Sequence, residues 1–295
     1  MTSCKVRYLI FFQYYGSKYS GVTKTPPHQP GQGVQNYLED AIRRLRPVNE
    51  VCVSVSSRTD AGVHALCNSA HLDLQRRGDL PPFPEEVLTD AINYHLKPEP
   101  IRVIKACRVP EDFHARYQAT GRTYLYRLMT GVSHHAQLPV FESRLCWPLR
   151  HADLDIEAMQ AAGMVLLGQH DFSTFRALNS DTPFKSPVKT LLRAEVTVGQ
   201  DSFTPHSFRR GMRCWELTFQ SRSFLYKQVR RMTGAMVAVG LGRLTLSRLQ
   251  ELLEARDSLA FPQNMSAPPD GLFLKRVDYE DSDLSSCSRD LEIKP

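Results

Sequence analysis

The sequence predicts an α+β fold made of two ferredoxin-like β-α-β-β-α-β halves, and three observations support this prediction. Runs rich in aromatic and β-branched residues, typical of strands, alternate with amphipathic segments of helical periodicity. The first half of the chain gives the order β-α-β-β-α-β, and the second half repeats it. The chain contains no heptads, no solenoid period and no low-complexity tract, so other repeating architectures are not indicated.

The first half is expected to contain two helices and four strands. Gly33–Arg46 is predicted to be helical because its apolar residues recur on one face. Pro84–Leu96 is predicted to be the second helix, since proline suits the first helical turn, where its missing N–H would be unpaired anyway. The predicted strands are Lys5–Tyr14, Glu50–Ser57, Asn68–Leu74 and Ile101–Val109.

The second half is expected to repeat this order with one extra helix. Asp153–Leu167 is predicted to be a helix that Asp153 caps and Gly168 follows. Ser223–Leu241 is predicted to be a long helix and Leu246–Arg256 a shorter one. The predicted strands are Arg122–Met129, Lys189–Val198, Arg213–Ser221 and Leu272–Tyr279.

These elements predict the domain organisation. Residues 1–112 and 113–280 form the two halves, and the polar tail 281–295 is expected to be disordered. The stretches 25–32 and 200–211 are expected to be loops. We expect a pseudo-symmetric pair whose strands form a mixed or antiparallel sheet, with helices on one face and a cleft where the halves meet.

Composition narrows the function classes only modestly. Of the 295 residues, 42% are apolar, which is enough for a folded core. The net charge of +6 favours a polyanionic partner such as RNA, although many basic proteins bind no nucleic acid. No apolar run approaches the length of a membrane span, and no secretory signal is recognisable, so no membrane partner is predicted.

The sequence has no cysteine pair or motif that would indicate a metal site or a cofactor. The seven cysteines are scattered without a C-x-x-C pair, which favours reduced, structural thiols in an intracellular protein. His64, Cys67 and His71 are close in sequence, but no second ligand pair stands at metal spacing, so no metal site is predicted. No phosphate-binding or dinucleotide motif is present, and we expect no cofactor.

The most informative run is Ser56–Ala65, with the sequence SSRTDAGVHA. It places one carboxylate, Asp60, in a basic, glycine-containing loop directly after a strand-like run. A lone acid without a second acid nearby suggests a nucleophile, whereas an Asx turn or a helix cap is the structural alternative. Arg58 could keep the carboxylate ionised, and Gly62 permits a tight turn or a closely approaching ligand.

This loop resembles the catalytic loop of TruA-type tRNA pseudouridine synthases, in particular that of animal pseudouridylate synthase-like proteins. Other motifs of the family follow in the family's order, from about Tyr8 to Tyr279. They are Asp112–Arg116 with Gly121–Tyr126, Gly168–Phe175, Phe224–Gly234 and Gly271–Leu274. Two departures are Gly21-Val22-Thr23, where relatives often have Gly-Trp-Gln, and Ser57, where glycine often stands.

The resemblance implies that uridines in tRNA or a tRNA-like RNA are isomerised to pseudouridine without a cofactor. Asp60 matches the catalytic aspartate, which attacks the sugar C1′ or the base, or assists elimination. Tyr124 matches a tyrosine that packs on the target base, and Arg230 matches a basic residue that pairs with the aspartate. Arg58 would fill the space left by the flipped-out base. The resemblance also implies a homodimer, and animal relatives point toward mitochondria.

Several alternatives remain beside this prediction. The alternative for Tyr124 is a core tyrosine of the strand, although Tyr126, on the same face, fits that alternative better. Arg230 is equally compatible with a solvated arginine. A catalytically silent RNA-binding or ribosome-assembly factor could keep the same scaffold. A glycosidase or nucleotide hydrolase would usually need a second carboxylate, which the Asp60 loop lacks.

Overall fold

The computed structural model describes residues 5–26, 28–78, 80–132, 134, 138–150, 153–179, 186–199 and 211–284. The chain divides into two compact units. Unit 1 comprises Met1–Gly121 and Leu274–Pro295, and unit 2 comprises Arg122–Phe273. Among the helices in the described ranges, none has the length and apolar character needed to cross a membrane.

The described residues form ten strands and five α-helices. The strands are β1 (Val6–Tyr14), β2 (Ser54–Val55), β3 (His64–Leu74), β4 (Ile101–Arg108), β5 (Gly121–Thr130), β6 (Trp147–Pro148), β7 (Gly168–Asp171), β8 (Val188–Val198), β9 (Arg213–Ser221) and β10 (Leu272–Asp278). The helices are α1 (Val34–Arg43), α2 (Glu85–Leu96), α3 (Ile156–Leu166), α4 (Gln228–Gly240) and α5 (Leu246–Ala255). The predicted α+β class is confirmed.

Unit 1 has the strand order expected of a ferredoxin-like half. β1 pairs antiparallel with β4 on one side and with β3 on the other, and β2 pairs with β3. β10, of which all but the first two residues belong to unit 1, also lies beside β3. Leu9, Phe11 and Phe113 belong to a buried apolar cluster of this unit, which anchors the chain after β4.

The predicted strand Glu50–Ser57 is wrong in length, because only Ser54 and Val55 form strand pairs. Val51 and Val53 are buried as their alternation predicted. However, side chains of α1 occupy the backbone groups of Val53: its N–H donates to Glu39 Oε1 at 3.3 Å, and its carbonyl accepts from Gln35 Nε2 at 2.8 Å. A segment that is buried in this way has the same alternating sequence pattern as a strand, although side chains rather than a neighbouring strand bind its backbone groups.

Unit 2 has the strand order β5-β9-β8-β7, with antiparallel pairing throughout this series. The short strand β6 pairs parallel with β5, so the strands of this unit are mixed in direction. β7 was not predicted as a strand. It begins at Gly168, whose φ of +94° suits glycine at the turn that follows α3.

Two predicted helix starts in unit 2 are wrong. Asp155, rather than Asp153, caps α3 by accepting the Ala158 N–H at 2.9 Å. The long helix begins at Gln228, five residues later than predicted. Gln228 Oε1 accepts the Leu225 N–H at 2.8 Å, and Lys227 has a φ of +58°, so the preceding residues form a turn.

Three further expectations concern segments or thiols. Residues 281–284 form a 3₁₀ helix, whereas the rest of the predicted tail, 285–295, and most of the predicted loop 200–211 lie outside the described residues. The predicted bounds of the halves stay a prediction. Cys107 is disulfide-bonded, against the expectation of reduced thiols, whereas Cys52, Cys67, Cys146 and Cys214 are free.

Candidate active site

The Asp60 loop connects β2 to β3 in unit 1. Arg58 is exposed, Thr59 is buried and Asp60 is half-buried, so the buried residue alternates with residues that reach the surface. The Val63 N–H donates to the Asp60 carbonyl at 3.1 Å and closes a tight turn. Gly62 has a φ of +80° in this turn, and a tight turn is one of the two uses expected for glycine at this position.

The chain that follows β1 is joined to this loop by backbone hydrogen bonds. The Val22 N–H donates to the Thr59 carbonyl at 3.2 Å, and the Gly62 N–H donates to the Tyr19 carbonyl at 3.4 Å. Gly21 has a φ of +110°, and a Cβ at this position would lie 2.7 Å from the Thr59 carbonyl oxygen. The Gly21-Val22-Thr23 segment, noted above as a departure, therefore lies directly against the loop.

His64 fixes the end of the loop from within the protein core. It is fully buried, and its Nδ1 accepts the Gly16 N–H at 3.0 Å. A Cβ on Gly16 would lie 1.9 Å from the Val63 carbonyl oxygen, so the two segments are in close backbone contact. His64 therefore has a structural function, and no group of three or more potential metal ligands occurs within the described ranges.

Buried polar side chains of β1 and β3 are hydrogen-bonded to the residues that precede Asp60. Tyr14 Oη lies 2.8 Å from Thr59 Oγ1. Asn68 Nδ2 donates to the Ser57 carbonyl at 3.1 Å, and Asn68 Oδ1 accepts the Ser56 hydroxyl at 3.1 Å. Burial raises the pKa of Tyr14 to about 12, so its hydroxyl keeps its proton at neutral pH.

Sequence reasoning missed Tyr14 and Asn68 as parts of this site. Tyr14 stands at the end of a strand-like apolar run, where a tyrosine is usually a core residue. Asn68 follows the loop by eight residues and was placed only as the start of a strand. The one available signal was that a buried strand carries two amide or hydroxyl side chains, Asn68 and Ser69, that need hydrogen-bond partners.

In unit 2, Tyr124 and Tyr126 lie on β5 and differ in their surroundings. Tyr126 is fully buried, its hydroxyl donates to the Pro268 carbonyl at 2.7 Å, and burial raises its pKa well above the ordinary value. Tyr124 is 8% exposed, and its ring meets the Phe224 ring edge-on at 5.2 Å. The core-tyrosine alternative therefore describes Tyr126 fully, whereas Tyr124 keeps a small exposed area.

Arg230 lies half-buried on α4. Its Nε donates to the Ala267 carbonyl at 2.7 Å, and the Ala267 N–H donates to the Arg230 carbonyl at 3.0 Å. A guanidinium held through Nε points its terminal nitrogens in a fixed direction. The alternative of a fully solvated arginine is wrong for this residue.

Arg231, the next residue, is held quite differently. Its guanidinium lies 4.7 Å from the centre of the Phe261 ring. Its Nη1 lies at 2.8, 2.8 and 3.2 Å from three carbonyl oxygens, those of Thr174, Arg176 and Ser258. Burial lowers its pKa, as expected for a cation whose partners are neutral carbonyls. Arg231 therefore joins segments within unit 2.

The four predicted site residues fall into two groups. Arg58 and Asp60 lie two residues apart in one loop of unit 1. Tyr124 and Arg230 lie in unit 2, on β5 and α4. The positive charge of Arg230 also acts to lower the pKa of Tyr126, but burial has the larger effect and raises that pKa.

Comparison with known proteins identifies the family. The model of the tRNA pseudouridine synthase family matches residues 10–118 and 162–280, which is more than half of the chain. The chain belongs to this family. The matched ranges include Arg58, Asp60 and Arg230, whereas Tyr124 lies between them. The family predicted from the Asp60 loop is therefore confirmed, and with it the prediction of an enzyme family.

Similar proteins come from both animals and bacteria. The tRNA pseudouridine synthase-like 1 proteins of Xenopus laevis and Homo sapiens are each 53% identical over 288 residues, covering 98% and 97% of this chain and 96% and 94% of theirs. tRNA pseudouridine synthase A of Paramagnetospirillum magneticum is 39% identical over 278 residues, covering 94% of this chain and 96% of its own. The resemblance to animal members is thereby confirmed.

Proposed function

We propose that this protein isomerises specific uridines of tRNA, or of a tRNA-like RNA, to pseudouridine, with Asp60 as the nucleophile. Family membership supports the reaction class. The observation that carries the assignment of Asp60 is the bracing of its loop. Thr59, before the turn, and Gly62, within it, are each hydrogen-bonded to the chain after β1, and Thr59 is also bonded to Tyr14.

The bracing matters because the reaction depends on placing one carboxylate accurately. A group held in position before the substrate arrives loses little freedom in the transition state. Asp60 is half-buried, and its backbone carbonyl accepts the Val63 N–H within the braced turn. An Asx turn or cap alone would not call for so many contacts to the neighbouring residues.

The chemistry proposed is an isomerisation, which adds and removes no atoms. The bond between N1 of uracil and C1′ breaks, the detached base turns, and a bond from C5 to C1′ forms. C5 then loses its proton, and N1 gains one, so no oxidant, metal or cofactor is required. Asp60 attacks C1′ or the base, or assists the elimination that detaches the base. A bond that Asp60 forms to C1′ breaks when C5 bonds to C1′, and a bond that it forms to the base breaks after the base has been rejoined, so the free carboxylate is regenerated.

The other three residues are proposed to assist this step. Arg58, exposed on the same loop, enters the space that the flipped-out nucleotide leaves, since an enzyme acting on a stacked base must extrude it. Tyr124 packs on the target base and takes part in proton transfer. Arg230 pairs with the Asp60 carboxylate and keeps it ionised.

The proposal extends to assembly and location. We expect a homodimer and a mitochondrial protein, as the resemblance to animal members of the family implies. Light scattering of the purified protein tests the first expectation, and the distribution of the tagged full chain among cell fractions tests the second.

The experiment that tests the function uses RNA made by transcription in vitro, which contains no pseudouridine. The purified protein is incubated with this RNA, and pseudouridine is mapped by position. Conversion of particular uridines supports the proposal. Binding without conversion would support the silent RNA-binding alternative, and release of free uracil would support hydrolysis.

A further inference from the structure

The motif Asp112–Arg116 takes no part in the proposed chemistry, yet its backbone is held unusually firmly. His71 Nδ1 accepts the Ala115 N–H at 3.2 Å, and the Tyr279 hydroxyl donates to the Ala115 carbonyl at 2.7 Å. Arg7 Nη1 donates to the Phe113 carbonyl at 2.9 Å. Side chains from three separate strands or segments therefore fix residues 113–117, which we call the platform loop.

The platform loop carries two of three aromatic rings that contact one another, edge-on and tilted, in a row from the core to the surface. The ring of buried His71 lies 4.6 Å from that of His114, and the His114 ring lies 4.3 Å from that of Tyr117. Tyr117 is 71% exposed. The Arg116 guanidinium lies 5.9 Å from the centre of the Tyr117 ring. The exposed Tyr117 ring is thus in contact with the His114 ring and has a guanidinium over its face.

The three rings of this row carry no charge at neutral pH. Burial lowers the pKa of His71 to about 4, and burial also lowers the pKa of His114 below its ordinary value. The neutral form of His71 agrees with its Nδ1 accepting a hydrogen bond. A ligand of this surface would therefore meet an apolar ring face and one guanidinium, rather than a cluster of cations.

A chain of hydrogen bonds joins the platform loop to the Asp60 loop within unit 1. Tyr279 Oη, which donates to the Ala115 carbonyl, also lies 2.7 Å from Ser69 Oγ. Ser69 Oγ lies 2.9 Å from Ser56 Oγ, at the start of the Asp60 run. The two loops are therefore parts of one braced framework.

We propose that Tyr117 and Arg116 form a second RNA contact, separate from the target nucleotide: the Tyr117 ring stacks on an unpaired base, and Arg116 contacts an adjoining phosphate. Aromatic side chains bind bases of single-stranded loops by stacking, and arginine beside them contacts the backbone. The inference rests on the proposed function in taking RNA as the ligand.

The test measures affinity for an in vitro tRNA transcript at fixed salt, separately from pseudouridine formation. Tyr117→Ala should weaken binding about 5- to 100-fold, and Tyr117→Phe should restore it, because stacking needs the ring and not the hydroxyl. Tyr94→Ala is the matched control, since Tyr94 is 70% exposed in the same unit and also contacts a histidine ring, His95, but has no platform loop. It should bind like the wild type. Arg116→Gln should reduce the slope of log affinity against log salt by about one.

Wild-type affinity in Tyr117→Ala would overturn this inference, and so would equal weakening in Tyr94→Ala. Either result leaves the proposed function intact if the wild type still forms pseudouridine. Failure of the wild type to bind any RNA would instead overturn both, whereas binding without conversion would overturn the proposed function alone. Circular dichroism of each variant confirms that the fold is retained, as expected for substitutions of an exposed ring.

Discussion

Tyr14 Oη, at the end of β1, lies 2.8 Å from Thr59 Oγ1, in the residue that precedes Asp60. Tyr14 is buried, and Asn68 Nδ2 lies 3.5 Å from the same phenol oxygen. A side chain of β1 therefore holds the Asp60 loop, in addition to the backbone hydrogen bonds that Thr59 and Gly62 make to the chain after this strand. Loss of that hydroxyl should loosen the loop without exposing the core.

Tyr14→Phe should lower the rate of pseudouridine formation several-fold while leaving RNA affinity nearly unchanged. The ring still fills its place, but the Thr59 hydroxyl loses its partner. We expect a loss of roughly 1–2 kcal/mol in the free energy of unfolding, as for a buried hydrogen bond. Single-turnover kinetics and urea denaturation measure the two effects.

Tyr8→Phe is the control for that experiment. Tyr8 is also buried on β1, but its hydroxyl donates to the Phe83 carbonyl at 2.8 Å, away from the Asp60 loop. A similar loss of stability with an unchanged rate is expected. Equal loss of rate in both variants would show that activity follows stability alone and would contradict the positioning role of Tyr14.

Gly21→Ala should impair both folding and activity, because the new Cβ would lie 2.7 Å from the Thr59 carbonyl oxygen. Gly78→Ala is the comparison, since Gly78 also has a positive φ but has open space around it. In both variants the strain of a positive φ should lower the free energy of unfolding by roughly 1 kcal/mol. In Gly21→Ala the clash should lower it by roughly a further 1–3 kcal/mol. Thermal denaturation and the conversion rate of both variants decide whether the clash moves the loop.

The neighbouring arginines of α4 should separate function from stability. Arg230→Gln should reduce conversion about 100-fold or more, because Arg230 is the proposed charged partner of the reacting carboxylate, with a smaller change in stability than a substitution of Arg231. Arg231→Gln should instead lower the free energy of unfolding by about 3 kcal/mol, because three carbonyl oxygens lose their donor. The opposite pattern would indicate that the two residues have been assigned the wrong roles.

His71 should make the protein less stable in mild acid. Burial, and then the nearby His114 and Arg7, lower its pKa from 6.5 to about 4, whereas Asp73 acts to raise it. Between these values the unfolded chain binds the proton and the folded chain does not, so stability falls as pH falls from about 6.5 to about 4. The contribution is up to about 3 kcal/mol. His71→Gln should flatten this part of the profile, and an unchanged profile would contradict the neutral buried imidazole.

Much of the fold follows from local patterns. β9 was predicted with its observed bounds, and seven other elements differ from prediction by one residue at one or both ends. These segments have regular periodicity and their backbone groups bond within their own sheet or helix. Periodicity is a reliable guide where the ladder and the burial agree.

The errors occur where side chains take over backbone bonding. Val53 is buried like a strand residue, but Glu39 and Gln35 of α1 bind its backbone groups. Gln228 accepts the Leu225 N–H and delays the start of α4, although the apolar pattern begins earlier. Such contacts join residues distant in sequence or depend on a turn, and no periodicity encodes them.

The candidate site shows the same division. Asp60 and Arg58 were predicted as site residues because the Ser56–Ala65 run resembles the catalytic loop of the family, and glycine was expected to permit the turn. Tyr14 and Asn68 were not predicted, because their hydrogen bonds form only after β1 and β3 pair. A loop motif can therefore be recognised in sequence before the residues that hold it are known.

The central claim is that the Asp60 carboxylate acts directly on the target nucleotide, and replacement of its charged oxygen tests this most directly. Asp60→Asn keeps the size of the side chain, and Asp90→Asn on the exposed face of α2 is the control. With each protein in excess over a tRNA transcript, and with RNA binding verified, pseudouridine is measured over time. The account predicts normal conversion by Asp90→Asn and none by Asp60→Asn at equal RNA occupancy. Conversion by Asp60→Asn at a rate near that of the wild type would contradict it.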